Sequence, residues 1–583
     1  MTIDVPFTAE PITIVRLAQP RCARTFGVAP CTATGEACFN TRATCRDPAN
    51  FSGTATLDLW FGAPGAGRPS DDLYLLPLLV SVSTSPAKLN VSGADRGANP
   101  LGIRGTATIR LRDMAHNDRL VDPYLATRSY DPLTRGTFWG KWSRRNLYGR
   151  AGMIVTVYEG YAGDALAAMT RRTYVAESLD ASGADLVTLR ARDLLSKASD
   201  EKALAPRPSP GELAADITAA QTTLSVSGAT TADYAASGTL RIGDEVMKYS
   251  ARTLNGGTGL LDFTISARGS DKTTAEEHKS GDRVQQCLRF SSLAVDAALA
   301  ALYQGYTTIP TAYLDLAAWA AEAADHLTAY SVTGLVTDPT PVKDLIGEIC
   351  EQAQVMQWWD ERAALVKMRA IAPLDAEPRR VTEAEHILAE SVALREFPDR
   401  RVSQVWVYYD PRDPTANPRA AESYRRAQVS AELTLEGADL FGDPAIRTVF
   451  ARFINSTPVA LETSARILSR YKNGATEIAF SVTDKDGDLE VAEVVKIRHH
   501  LIQDATGAPQ ERLWVITSAD RRHRERRVTY TAEDATLAGT LYRICANTVP
   551  DYRGDGSDPF DAAFVSITST GLLPNGDPGM TIQ

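Results

Sequence analysis

GTATIRLR, residues 105–112, alternates apolar and polar side chains. Ala107, Ile109 and Leu111 fall on one face, and Thr108, Arg110 and Arg112 on the other. A period of two is that of a strand with one face in a core and the other outside it. The same reading extends outward to ATLDLWF (55–61), GMIVTVYEG (152–160) and DLVTLRAR (185–192). Between the second and third of these four runs, DPYLATRSYDPLTRGTFWGKWSRRNLYGR (122–150) reads as an ordered excursion with helical pieces.

After a composition break at ALAPRPSPGEL (203–213), residues 212–288 read as a small all-β unit with strands TTLSVSG, GTLRIGDEVMKYSA and LLDFTISARG. Asn255-Gly256-Gly257 is expected to supply positive-φ positions for a tight connection. Helices follow at 291–304, 311–327 and 341–357. In the last, Thr340 is the expected N-cap and Pro341 the first helical residue. Val342, Leu345, Ile346, Ile349 and Cys350 form its apolar face, which makes Cys350 a core residue. ALVKMRA (364–370) is a strand. Beyond 400, VSQVWVYYD, TEIAFSV, DLEVAEVVKIRHHL, RLWVITSA and RRVTYTAE are strands, and ALETSARILSRY (460–471) is a helix. Residues 550–583 read as an extended arm that becomes ordered on a neighbour.

The 583 residues are enough for several cores, with 44% hydrophobic and 23% charged side chains, as in soluble globular protein. No apolar run reaches the roughly 20 residues of a membrane span. The N-terminus lacks a basic region followed by an apolar core, so cytoplasmic synthesis is expected. A net charge of −10 without a basic domain argues against specific nucleic-acid binding.

Four of the seven cysteines crowd into RCARTFGVAPCTATGEACFNTRATC (21–45), as Cys22, Cys31, Cys38 and Cys45. The spacing lacks the close ligand pair of most structural zinc sites. Loops with Gly27, Pro30 and Gly35 can wrap a compact object and offer it four thiolates. An iron–sulfur cluster, zinc, two disulfides and free thiols all remain open on residue chemistry.

Weaker signals have plainer readings. Asp484, Asp486 and Asp488 suggest a calcium loop or, more simply, a hairpin turn on Asp486-Gly487. His499 and His500, adjacent in a strand, should point to opposite faces and not share a metal, and His523 stands alone. RRHRERR (521–527) reads as a solvated run. Phe138, Trp139 and Trp142 with Lys141 suggest a sugar platform or packing on a neighbouring subunit. No nucleophile elbow, phosphate loop or dinucleotide fingerprint is present, so no enzyme is expected.

Several segments together resemble baseplate hub, or tail-tip, proteins of long-tailed, siphovirus-like bacteriophages. They are CFNTRATCRDPANF (38–51), RGTFWGKWSRRNLYGR (135–150), GTLRIGDEVMKYS (238–250), RGSDKTTAEEHKSGDRV (268–284) and TPVKDLIGEICEQAQVMQWWDERAALVKMRAI (340–371). The third and fourth resemble a small β module of phage tail proteins with an RG…H..G..V ending. The resemblance implies a homotrimeric ring closing the tail tube, with two barrels per subunit matching a sixfold tube to a threefold fibre.

It implies as partners a distal tail protein, a tape-measure protein and a central tail fibre, with phage DNA in transit, and a location in the virion. Some hubs of this type carry an iron–sulfur cluster on four cysteines, often in a C-terminal domain. Carried over here, the ligands are Cys22, Cys31, Cys38 and Cys45, and the cofactor a [4Fe–4S] cluster.

The expected architecture is thus α+β, β-rich and multidomain. It comprises a cysteine-rich segment (1–50), a first hub barrel (51–206), an inserted all-β domain (207–290), a helical unit (291–399), a second barrel (400–549) and the arm (550–583). Two other functions compete: host recognition through carbohydrate bound by the inserted domain, and cell-wall hydrolysis.

Overall fold

The computed structural model describes residues 9–91, 99–147, 152–182, 185–372, 377–522 and 525–535, with the backbone of strands Arg543–Cys545 and Phe564–Ser566. His523 and, apart from that last strand, the 550–583 arm lie outside the described residues. Within the described residues the chain is β-rich α+β, with several sheets and five α-helices.

Alternation does form the first barrel. Its eight strands run in the order Leu75–Leu76, Ala55–Gly62, Pro11–Arg21, Ile154–Tyr161, Thr170–Ser182, Leu186–Arg192, Thr106–Arg112, Leu79–Ser85. The first and last are consecutive in the chain, joined only by Pro77 and Leu78. The link is itself bonded to the sheet, since Leu78 O accepts from Arg112 N at 2.7 Å. So short a connection brings the sheet's two ends together. Ala107, Ile109 and Leu111 face inward as their alternation dictates. The interior is filled by helix α1 (Phe138–Arg145), whose Phe138, Trp139 and Trp142 are buried within this chain. These aromatics are therefore neither a sugar platform nor a subunit contact; Trp142 Nε1 donates to Gln19 Oε1 inside the barrel at 2.8 Å.

A second sheet repeats the plan with six strands: Arg379–Thr382, Val494–Gln503, Pro509–Arg522, Arg527–Asp534, Ala475–Thr483, Ala393–Phe397. Its outer strands are again consecutive, and the link between them pairs inward through Leu388 N to Ser481 O at 2.8 Å. In both sheets one outer strand is paired in parallel.

The two barrels touch. Leu89 N donates to Thr517 O at 2.9 Å and Ser518 Oγ to Ala87 O at 2.8 Å. Leu89, Val91, Met356, Ala492 and Val515 share one buried cluster at the junction. The hairpin Val355–Asp360 and Leu365–Ala370 is wedged there, with Trp359 Nε1 donating to Thr173 O of the first barrel at 3.0 Å. Arg369 Nη1 reaches Ala492 O of the second at 2.9 Å.

Helices α2 (Val295–Tyr306), α3 (Leu316–His326) and α4 (Val342–Ala353) surround a separate core. The five apolar residues foreseen on α4 are all buried, and burial pushes the Cys350 thiol up to about 12. Its ends differ from expectation. Thr340 and Pro341 pair with Leu204–Ala205 as a short strand, and the Thr340 hydroxyl donates to Asp338 O at 2.9 Å, so it caps no helix. The helix stops at Ala353, where Gln354 is left-handed at φ 53°, and residues 355–360 are strand. Helix α5 (Thr457–Tyr471) covers a three-stranded sheet of Tyr424–Ala431, Gln404–Pro411 and Ile446–Ala451.

The all-β unit forms a six-stranded sheet from Glu212 to Gln286 around its own core. GTLRIGDEVMKYSA is two strands, Gly238–Ile242 and Glu245–Leu254, turning at Gly243-Asp244. In the next turn the positive φ sits on Gly259 at 71°, not on Gly256 or Gly257, because Asn255 Oδ1 holds the amides of Gly257 and Thr258. Asp484–Asp486 form a 3-10 turn. No hairpin forms there, because the strands on either side of this turn pair with other neighbours. Arg379 takes up the carboxylates of Asp486 and Asp488.

Candidate functional site

The strand Pro11–Arg21 of the first barrel delivers the chain to Cys22. From there to Ser52 it folds back on itself. Cys22 N donates to Asn40 O and Ala23 N to Ser52 O, both at 2.8 Å. Gly27 and Gly35 turn the chain at φ 71° and 85°. Asp47 ties the middle of the loop, accepting from Thr32 N at 2.7 Å and from the Asn50 amide.

Cys22, Cys31, Cys38 and Cys45 line one pocket together with Phe26, Asn40 and Phe51. All four are free thiols and partly exposed, and no disulfide joins them. Burial raises the Cys38 thiol, and the three other cysteines raise it further, while Asn40 opposes both. A sulfur–amide contact is already present, Ser52 N to Cys22 Sγ at 3.5 Å. Among the described residues, Glu383, His499 and His500 are the only His, Cys, Asp or Glu trio with ligand atoms within 4.8 Å of one another. Four thiols around one pocket are a donor set that fits a thiolate-ligated group.

The excursion after residue 118 clasps this loop, a feature sequence reasoning missed. Arg128 Nη1 donates to Ala37 O at 2.5 Å and Nη2 to Cys38 O at 3.0 Å, while Asp122 holds the same guanidinium at 2.7 Å. Phe39 lies between the guanidinium groups of Arg128 and Arg145, at 4.0 and 3.9 Å. Arg145 is fixed by Asp118 at 2.6 Å, and Lys141 reaches the same carboxylate at 2.8 Å. Burial alone would raise the Asp118 carboxyl; hydrogen bonds from His116, Arg145 and Lys141 outweigh it and hold it well below the carboxylate range. Tyr124 Oη accepts from Phe26 N at 2.8 Å. The Arg-rich, aromatic composition of 122–145 was the visible signal.

The RG…H..G..V residues of the inserted unit converge on one carboxylate. Glu245, fully buried, accepts from Arg268 Nε and Nη2 at 2.7 and 2.8 Å, Gly269 N at 2.8 Å and Glu276 N at 3.0 Å, with His278 Nε2 at 2.9 Å. Val284 is in the core and Gly281 turns at φ 92°. The motif is a folding clasp with every member engaged. Arg521 and Arg527 of the RRHRERR run are likewise not merely solvated: Arg521 bonds the carbonyls of Gly487 and Leu489, and Arg527 bonds the Ser481 hydroxyl.

No protein-family model matches the chain, and no curated protein does. Among solved structures it is similar to a tail protein from Neisseria meningitidis MC58, at 9% identity and TM-score 0.37, over 74% of this chain and 89% of that one. It is also similar to the 43 kDa tail protein of prophage MuSo2 from Shewanella oneidensis, at 8% identity and TM-score 0.36, over 79% and 99%. A third likeness is to a chain of the native gene transfer agent virion, at 10% identity and TM-score 0.27, over 64% and 79%.

Proposed function

We propose that this chain is a structural, non-enzymatic hub at the distal end of a phage tail tube. Three copies would form a ring whose six barrels face a sixfold tube above and a threefold fibre below. The observation that carries this reading is the pairing of barrels. One chain holds two sheets of the same plan, each with a parallel outer strand and with its outer strands consecutive in the chain, pressed together at a buried junction. The net charge of −10 suits a channel through which DNA slides without sticking. Distal tail protein, tape-measure protein and central fibre would be its neighbours. No helix among the described residues is long and apolar enough to cross a membrane.

Cys22, Cys31, Cys38 and Cys45 would hold a [4Fe–4S] cluster. Such a cluster, when bound, supplies a rigid node joining four points of the loop. The residues around it do the rest: Arg128 and Arg145 fix Phe39 beside Cys38, and the Ser52 amide faces the Cys22 sulfur.

Sedimentation of the purified chain, with electron microscopy of labelled particles, tests the hub. A trimer found at tail tips is the expected result, and a monomer absent from virions would overturn it. Anaerobically purified protein should be brown, with iron and sulfide in comparable amounts. Zinc alone would reject the cluster and leave the hub standing.

A further inference from the structure

Two histidines that a regular strand would hold apart stand side by side. The strand Val494–Gln503 keeps register with Pro509–Arg522 as far as Arg498 and pairs again only at Gln503. In the irregular stretch between, the rings of His499 and His500 lie 4.3 Å apart, tilted by 34°. His499 is buried and His500 exposed, as alternation expects, yet the irregularity lets their rings meet, so the expectation that they could not share a metal fails. Glu383, the first residue after strand Arg379–Thr382, meets both rings. Its Oε1 lies 2.7 Å from His500 Nδ1 and 3.6 Å from His499 Nε2, and its Oε2 accepts from His500 N at 3.1 Å.

We propose that Glu383, His499 and His500 form a binding site for a divalent transition-metal ion of the zinc class. Two imidazoles and a carboxylate are the donor set such ions prefer. The three ligand atoms already lie within 4.8 Å of one another. Tetrahedral ligands at bonds of about 2.0 Å stand roughly 3.3 Å apart, so the observed separations need only small shifts to admit an ion.

His499 is buried and supplies a fixed ligand, while Glu383 and His500 are exposed and leave water free to complete the shell. Two bonds must be exchanged: the His500 Nδ1 hydrogen bond to Glu383 gives way to the ion, and Leu501 N, which donates to His499 Nδ1 at 3.1 Å, is released because an ion on Nε2 leaves the proton on Nδ1. Leu501 is exposed, so its amide can turn to water. The bound ion would tie the link that closes the second barrel to the neighbouring strand. This site lies on the other barrel from the four thiols and stands independently of what they hold.

Cobalt(II), added to the full chain after chelator treatment, separates the two sites. Thiolate-bound cobalt shows intense sulfur charge transfer in the near ultraviolet, and nitrogen–oxygen ligation shows only weak visible bands. One equivalent of the second kind, displaced by zinc, is expected. His500→Ala and Glu383→Gln should each weaken it at least tenfold and leave the melting temperature in chelator unchanged. Cobalt bound only through sulfur, or binding by both variants equal to the parent, would overturn the site.

Discussion

At the scale of single residues, Glu245 is the side chain on which most depends. Burial alone would raise its carboxyl, but Arg268, the amides of Glu276 and Gly269, and His278 outweigh that and bring it down to about 2. A depressed acid contributes stability that is complete above its unfolded value and fades as pH falls through the folded one. The inserted unit should therefore lose stability between roughly pH 4.5 and 2, as denaturant melts across that range would record. Glu245→Ala strands the Arg268 guanidinium and should cost about 3 kcal/mol, read from the same melts at pH 7. The sequence displayed the motif but not its centre: Glu245 precedes Arg268 by more than 20 residues, and only the pairing of strand Glu245–Leu254 with Leu261–Ala267 brings it back.

At the scale of elements, the cysteine loop is a segment without a core, held by its neighbour. Arg128→Ala removes two carbonyl bonds and one of the two cations on Phe39. It should make residues 22–50 markedly more sensitive to limited proteolysis while the barrel stays folded. Helix α4 makes the opposite case, since Ile346 is fully buried and Ile346→Ala should cost about 2–5 kcal/mol in denaturant melts.

What was legible followed from locality. Strands 55–61 and 106–112 and the face of α4 announce themselves by periodicity within one element. Thr340 looked like a cap because nothing nearby reveals that Leu204–Ala205 will pair with it. The burial of Trp139 and Trp142 depends on a barrel whose closure joins residues 76 and 79 to strands far along the chain. The grouping of the four cysteines was legible, whereas the hold of Arg128 on Ala37 and Cys38 was not, being a contact across 90 residues.

At the scale of the whole molecule, the junction between barrels contains a group that resists ionisation. Glu361 accepts from the Tyr174 hydroxyl at 2.9 Å, and burial pushes its carboxyl up to about 7 despite Arg172. A raised acid makes the folded state hold its proton longer, so stability falls as pH rises from about 4.5 to 7. Glu361→Gln should accordingly stabilise the chain above pH 7 by roughly 1–2 kcal/mol, with the gain vanishing below about pH 4.5 in paired melting curves. The inserted unit, with its own core, should unfold as a separate calorimetric transition.

The order in which a ribosome releases this chain gives the clasp a further meaning. Cys38 emerges 90 residues before the Arg128 that will pin its carbonyl. At ordinary synthesis speeds, that interval is on the order of ten seconds. Throughout it the thiols are tethered to nothing but a nascent tail, open to oxidants and to any passing ion. Maturation of this corner must then be either guarded by a helper or postponed until the guanidinium arrives.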